Sequence, residues 1–196
     1  MKRFIPTLLF LLFLCDALFS QISGGIKAGF NMANQSIEDD RPVPLSPNNR
    51  HSFHVGIFAN VPLGGMFSLQ PEVLYSQQGS EYRIFSEVTD KIDYINVPLL
   101  IRFQPITLIS IHAGPHIGFL TSAQSTSEDV SFDVKDIIKK RDFGANFGAQ
   151  ADFKFGLIMG VRYTVGLTDI NDNELSDLDI KNRNFQIYLG FKLPCN

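Results

Sequence analysis

His112 and His116 stand four residues apart, the spacing at which two imidazoles on one helix face share a metal ion. Their segment, residues 109–119, alternates apolar and polar side chains, which is the pattern of a strand. In a strand the two share a face but lie about 13 Å apart by rise alone, so they read as polar lining and not as a metal pair. The run Asp169-Ile170-Asn171-Asp172-Asn173-Glu174 resembles the start of a calcium loop. It lacks Gly at the sixth place and has Ile180 where the closing Glu belongs, so a solvated acidic loop is the plainer reading. Gly-x-Gly spacings abound, yet none opens a helix, and no phosphate cradle follows. No Ser–His–Asp or paired-carboxylate arrangement stands out, and Cys15 and Cys195 are too few for a zinc site. No catalytic residue, cofactor site or metal site is assigned. What remains is four charges on the polar faces of separate strands: Lys27, Glu72, Arg102 and Arg162. Together they would form an ion-conducting constriction, or a salt-bridge cluster that fills a narrow interior where buried charges must pair.

Those charges sit on segments whose period is two. The clearest is the last, where Phe185, Ile187, Leu189, Phe191 and Leu193 alternate with Asn184, Gln186, Tyr188, Gly190 and Lys192. Residues 143–153, 155–167 and 109–119 repeat the pattern. Four more segments, 22–32, 53–61, 67–75 and 95–103, follow it with Phe58 and Leu74 as exceptions on the polar face. Pro71, Pro98 and Pro115 fall inside strands, where a missing N–H predicts bulges or kinks. Eight strands result. They are joined alternately by short turns, at Leu63-Gly64-Gly65, Gln104-Pro105 and Lys154, and by long polar loops near 35–50, 79–90, 122–141 and 168–183. Short turns at one end and long loops at the other are the layout of an up-and-down transmembrane barrel, with both termini at the short-turn end.

Alternation does not say which face meets solvent. A soluble, lipocalin-like periplasmic barrel would point its apolar set inward around an apolar ligand. The composition of the polar face argues against that: it is Gly, Asn, Gln and Ser with isolated charges, suited to a crowded lumen where each group needs a hydrogen-bond partner. Aromatic residues cluster at both ends of the apolar faces. Phe67, Phe103, Phe153, Phe155 and Phe191 lie toward the short turns, and Phe53, Tyr75, Phe119, Phe143, Tyr163 and Phe185 toward the long loops. Two such rings are the expected girdles of a lipid-facing surface. The apolar set is therefore expected to face outward.

Met1-Lys2-Arg3 followed by an apolar run to Leu14 reads as a secretory signal peptide over residues 1–20, leaving residues 21–196 as the barrel domain. Asp16 makes the run too short for a spanning helix, and Leu14 is poorly suited to precede a lipidated Cys15. A net charge of −3 gives no support to nucleic-acid binding. Low charge with 15 Gly and 18 Phe argues against a helical bundle and against disorder.

Several segments resemble the PorT-like outer-membrane β-barrel family. They are Gly25-Ile26-Lys27-Ala28-Gly29-Phe30-Asn31, Gln70-Pro71-Glu72-Val73-Leu74-Tyr75-Ser76-Gln77-Gln78-Gly79 and Asp93-Tyr94-Ile95-Asn96-Val97-Pro98-Leu99-Leu100. His112-Ala113-Gly114-Pro115, the stretch from Tyr163 to Ile170 and the stretch from Phe185 to Phe191 are similar to its later strands. The resemblance implies an integral outer-membrane protein without known enzymatic activity, some of whose relatives are associated with a secretion system. The expectation is an all-β, eight-stranded antiparallel transmembrane barrel in the outer membrane of a Gram-negative envelope, with long loops extracellular and termini periplasmic. Its expected partners are outer-membrane lipid, the barrel-assembly machinery during biogenesis, and an envelope or secretion-complex protein met through the loops or rims. A hydrolase reading lacks a recognisable nucleophile–base pair.

Overall fold

The computed structural model describes residues 22–38, 48–83, 87–127, 130–171 and 179–193. The expected signal peptide, both cysteines and Asp172-Asn173-Glu174 lie outside the described residues. The strands in chain order are β1 (Ser23–Glu38), β2 (Asn48–Gly64), β3 (Phe67–Arg83), β4 (Glu87–Ile106), β5 (Ile109–Ser127), β6 (Val130–Asp133), β7 (Arg141–Asp152), β8 (Leu157–Gly166) and β9 (Asp179–Leu193). A single 3-10 turn, Lys135–Ile137, separates β6 from β7.

Eight of these strands form a closed antiparallel ring in the order β1-β2-β3-β4-β5-β7-β8-β9, and β9 pairs back onto β1 from Gly24↔Leu193 to Glu38↔Asp179. The short connections are tight. Gly64 and Gly65, both at positive φ, turn β2 into β3, and Gly156 at φ 97° serves the β7–β8 turn. The β4–β5 turn lies at Thr107-Leu108, at the far end of the expected stretch around Gln104-Pro105. A register shift between Phe103 and Ile106 carries the chain past Pro105 and lets β4 run on.

Side-chain parity sets two opposite environments. Ile26, Phe30, Ile57, Ile101, Phe147 and Leu189 are exposed, whereas Lys27, Asn31, Gln70, Glu72, Arg102 and Arg162 are buried. Polar and charged residues outnumber apolar ones in the interior, the inverse of a protein that folds in water. A lipocalin-like barrel needs an apolar lining along its lumen, so this polar lining overturns the soluble alternative. The aromatic ends pair up: Phe67 with Phe103 across strands at 5.1 Å and Phe153 with Phe155 within the β7–β8 turn at 5.7 Å, both near the short turns, and Phe53 with Tyr75 across strands at 6.1 Å toward the other end.

Three details add to or correct the period-two reading. Phe58 and Leu74, the apolar exceptions on the polar face, are lumenal and lie over glycines of the next strand, Phe58 over Gly25 and Leu74 over Gly56. Each fills the space that a side chain there would occupy. Pro71, Pro98 and Pro115 do not shift the register; the pairing is the same on either side of each. An antiparallel residue aims its N–H at one neighbour, so a proline there removes one bond without adding a residue to the strand. The shifts fall instead between Asn49 and His54, Pro62 and Gly64, Asp93 and Tyr94, and Phe103 and Ile106.

The third difference is strand length. β1 to β5 and β9 continue well into the segments that read as loops. Beyond the apolar band both faces of a strand are polar, so alternation vanishes while the backbone ladder continues. β7 and β8 stop lower, at Arg141 and Gly166, and β6 takes the place beside β5 that β7 has vacated. The ring therefore rises into a one-sided collar above a notch.

Replacing the outward-facing Ile187, paired with Phe30 and Val161 in mid-barrel, by Arg should cost about 2–4 kcal/mol of folding stability in lipid vesicles. Thr126→Arg on the collar should change stability by less than about 0.5 kcal/mol. Urea titration of both variants in vesicles checks the difference.

Candidate functional site: the lumenal charge network and the capped collar

The inward parity of β1, β3 and β8 brings Lys27, Glu72 and Arg162 to one level of the lumen. Glu72 is the hub. Its Oε1 accepts from Lys27 Nζ at 2.5 Å, from Gln70 Nε2 at 2.7 Å and from Arg162 Nη2 at 2.8 Å, while Oε2 accepts from Arg162 Nη1 at 2.8 Å. The arginine grips the carboxylate with both prongs of its fork, the strongest geometry open to this pair. Tyr188 packs beside both cations, with Lys27 Nζ 4.7 Å and the Arg162 guanidinium 5.5 Å from its ring centroid. Arg162 Nε also donates to His112 Nε2 at 3.4 Å.

Arg102 does not join them. It belongs to a second level toward the short turns, where Nη2 donates to Asp152 Oδ2 at 2.6 Å and to Ser110 Oγ at 2.7 Å. Lys192 pairs with the other oxygen of Asp152. The two levels are linked through neutral groups: Tyr188 OH donates to Gln150 Oε1 at 3.1 Å, and Gln150 Nε2 donates to Asp152 Oδ1 at 3.0 Å. Asp152, Lys192, Gln150 and Tyr188 share the inward parity, which was the available signal for them. Nothing in their spacing says which charge they would meet.

Above Glu72 the lining is amides, hydroxyls and imidazoles. Asn31 donates to Ser76 Oγ at 3.1 Å and accepts from Gln186 at 3.0 Å, with His54 Nδ1 2.7 Å from its Oδ1. His116 lies 3.2 Å from the Asn146 amide. His112 and His116 thus have different partners, one on the charge network and one on an amide. Higher still, Asn182 donates to Asp142 Oδ2 at 2.8 Å, and Arg50 reaches the Gln78 carbonyl.

The collar closes with a different chemistry. Ile92, Tyr94, Ala123 and Ile170 form an apolar cluster, with Leu120, Val134, Ile138 and Ile180 packed against it. The lid of this cluster is a strap made of residues 134–138 and 169–171, which fills the notch above β7 and β8. Ile138 bridges to Asn171, Lys139 N–H donates to the Ile170 carbonyl at 2.8 Å, and Ile170 N–H donates to the Ile180 carbonyl at 2.9 Å. Asp169, the first residue of the acidic run, secures the strap: it accepts from Lys139 Nζ at 2.8 Å and from the N–H groups of Asn171 and Ile180 at 2.9 Å. Partial burial alone would raise its carboxyl, but these donors outweigh that and hold it below the usual carboxylate range.

Glu72→Gln leaves Lys27 and Arg162 facing each other without a counter-charge. The expected loss is about 3–5 kcal/mol, the cost of removing one partner from a buried pair. Chemical unfolding in vesicles measures it, and Lys27→Met added to Glu72→Gln should recover part. For Asp169 the folded-state value is the lower one. Its contribution is thus fully present above about pH 4 and is lost as pH falls further through the folded value. Amide protection at Lys139, Ile170 and Ile180 should drop in that acid window, and Asp169→Asn should show the drop already at neutral pH.

The fold has counterparts among solved structures. Neisserial surface protein A (NspA) matches with a TM-score of 0.56 at 13% identity, covering 87% of this chain and 97% of that one. Ail, the attachment invasion locus protein of Yersinia pestis, in complex with the heparin analogue sucrose octasulfate, matches with a TM-score of 0.51 at 14% identity, covering 88% and 99%. At these identities the likeness concerns the fold. No curated protein matches the sequence. The profile described as outer membrane protein beta-barrel domain matches residues 19–172, most of the chain. With its closed ring, lipid-facing apolar belt and polar lumen, this chain is an integral outer-membrane protein and belongs to the outer-membrane β-barrel domain family.

Proposed function

We propose that this protein is a non-enzymatic envelope module that acts through the surface of its long-loop end, while its lumen stays closed to solutes. The observation that carries this reading is the β5–β6 hairpin. β6 pairs with β5 alone among the described strands, and Val130 and Phe132 are both exposed on it, 53% and 61% respectively. Ile137, in the strap that follows, is also exposed. Large apolar groups on a strand edge beyond the membrane band suit contact with another protein, which can add a strand or cover the ring. In this reading the long loops are extracellular and the termini periplasmic. Residues 1–20 are a signal peptide that directs export, and the barrel-assembly machinery inserts the chain.

The resemblance to PorT-like proteins makes an envelope or secretion-complex protein the partner class. Lys27, Glu72, Arg102 and Arg162 then serve structure. Their ion pairs and the side chains packed around them occupy an eight-stranded interior that is only just wide enough for its own lining.

Placing Cys at Ser131, in a chain carrying Cys195→Ser, allows labelling of intact cells with a membrane-impermeant maleimide. Labelling without permeabilisation is expected, and labelling only after it would reverse the orientation. A photo-crosslinker at Phe132 should capture an envelope protein, and capture should be lost on Phe132→Ser. Planar bilayers should show no steady conductance; large, reproducible open states would replace the closed-lumen reading with a channel.

A further inference from the structure

Beneath the strap lies a cavity of about 240 Å³ that the envelope role does not use. Its walls are aliphatic on most sides: Ile92 from β4, Ile180 from β9, Ile170 from the strap, and Val134, Ile137 and Ile138 from the segment after β6. Its polar lining includes Asp90 and Ser125, direct partners in the β4–β5 ladder. Ser80 stands opposite Asp90 on the other side and donates to Gln35 Oε1 at 2.7 Å, so most of the polar groups gather along one wall, with Asn171 of the strap apart from them.

Asp90 is the unexplained member. It shares the inward parity of Ile92 and Tyr94, and it lies in the collar, outside the lipid belt. Ser125 lies beside it as its ladder partner, and no cation of the described residues pairs with it. The nearby ion pair, Lys139 with Asp169, is spent on holding the strap. Burial pushes the Asp90 carboxyl above its ordinary range, as expected for an anion beside aliphatic walls without a counter-charge. A ligand that brings a positive group to this wall and apolar surface to the others would satisfy both.

We propose that this cavity is a binding site for a small organic ammonium ion with a compact apolar body, whose charged group is held by Asp90 and whose body is held by the isoleucines under the strap. The size follows from volume. A cavity of ~150 Å³ holds a benzene ring, so this one holds roughly ten non-hydrogen atoms. The recognition is a charge-assisted hydrogen bond to a partly buried carboxylate, which discriminates against neutral and anionic analogues.

The test uses the full folded barrel in detergent micelles, with isoleucine methyl groups labelled for NMR, and three probes of similar size: phenethylammonium, propylbenzene and phenylpropionate. Phenethylammonium should give saturable shifts at Ile92, Ile170 and Ile180. It should bind at least about tenfold more tightly than either of the others, the ratio that one such hydrogen bond supplies. Asp90→Asn, nearly identical in shape, should remove that preference. Val134→Phe, which fills the cavity and leaves Asp90 in place, should abolish the shifts. Equal affinity for all three probes, unchanged binding in Asp90→Asn, or shifts confined to the lipid-facing Ile26, Ile57 and Ile111 would each overturn the assignment, the last because it reports partition into the micelle.

Discussion

Hydrocarbon offers no hydrogen bonds, so every backbone N–H and C=O that crosses it must find a partner within the protein, at a cost of several kcal/mol for each one that does not. For a chain that crosses in strands, that demand is met only when the last strand returns to the first. The seam between β1 and β9 is where it is met, over fifteen residues of each strand, from Gly24↔Leu193 to Glu38↔Asp179. The remaining features follow from closure. A ring has an inside, and the period of the strand divides every crossing segment between that inside and the lipid. Prolines 71, 98 and 115 are tolerated because each removes a bond locally while the register of its neighbours holds.

Closure also creates a narrow interior that cannot hold charges singly. Glu72 is surrounded by donors from three other residues, and Asp152 by donors from four, so each carboxylate is compensated at its own level. Around these levels the packing is of knobs over glycines: Phe58 over Gly25, Leu74 over Gly56, Tyr188 over Gly160. The glycines that give this chain its composition are the recesses that let large side chains fit within eight strands. Buried charge by itself is weak evidence for stability. Here its effect is to select one arrangement of the lumen, since a misplaced strand would strand a cation.

Above the membrane the solvent changes back to water, and the chain changes its strategy with it. The collar of β1 to β5 and β9 is capped by an ordinary apolar cluster around Ile92, Tyr94, Ala123 and Ile170, held down by a strap whose ends are joined through Lys139 and Asp169. Two kinds of core therefore stand in one molecule, polar inside the lipid belt and apolar beneath the strap. The lower height of β7 and β8 produces the notch that the strap fills, and that asymmetry places β6 and its exposed Phe132 on one side of the rim.

The amino-acid sequence by itself determined the number of crossing strands, their antiparallel order and the face on which each side chain lies. Those properties depend on a period of two and on the contrast between Ile or Phe and Asn, Gln or Gly, both of which are local. It therefore placed Lys27, Glu72, Arg102 and Arg162 in one lumen. Only the tertiary structure decided that Lys27 and Arg162 share Glu72 while Arg102 belongs to Asp152. Parity specifies a face but not a height, and the height at which two strands on opposite sides of a ring meet is set by the stagger accumulated around it, bulges included. The collar and strap were illegible for a related reason. Once a strand leaves the lipid, its two faces meet similar surroundings and alternation ceases to mark it, and residues 134–138 and 169–171 gain their meaning from contact with each other across the ring.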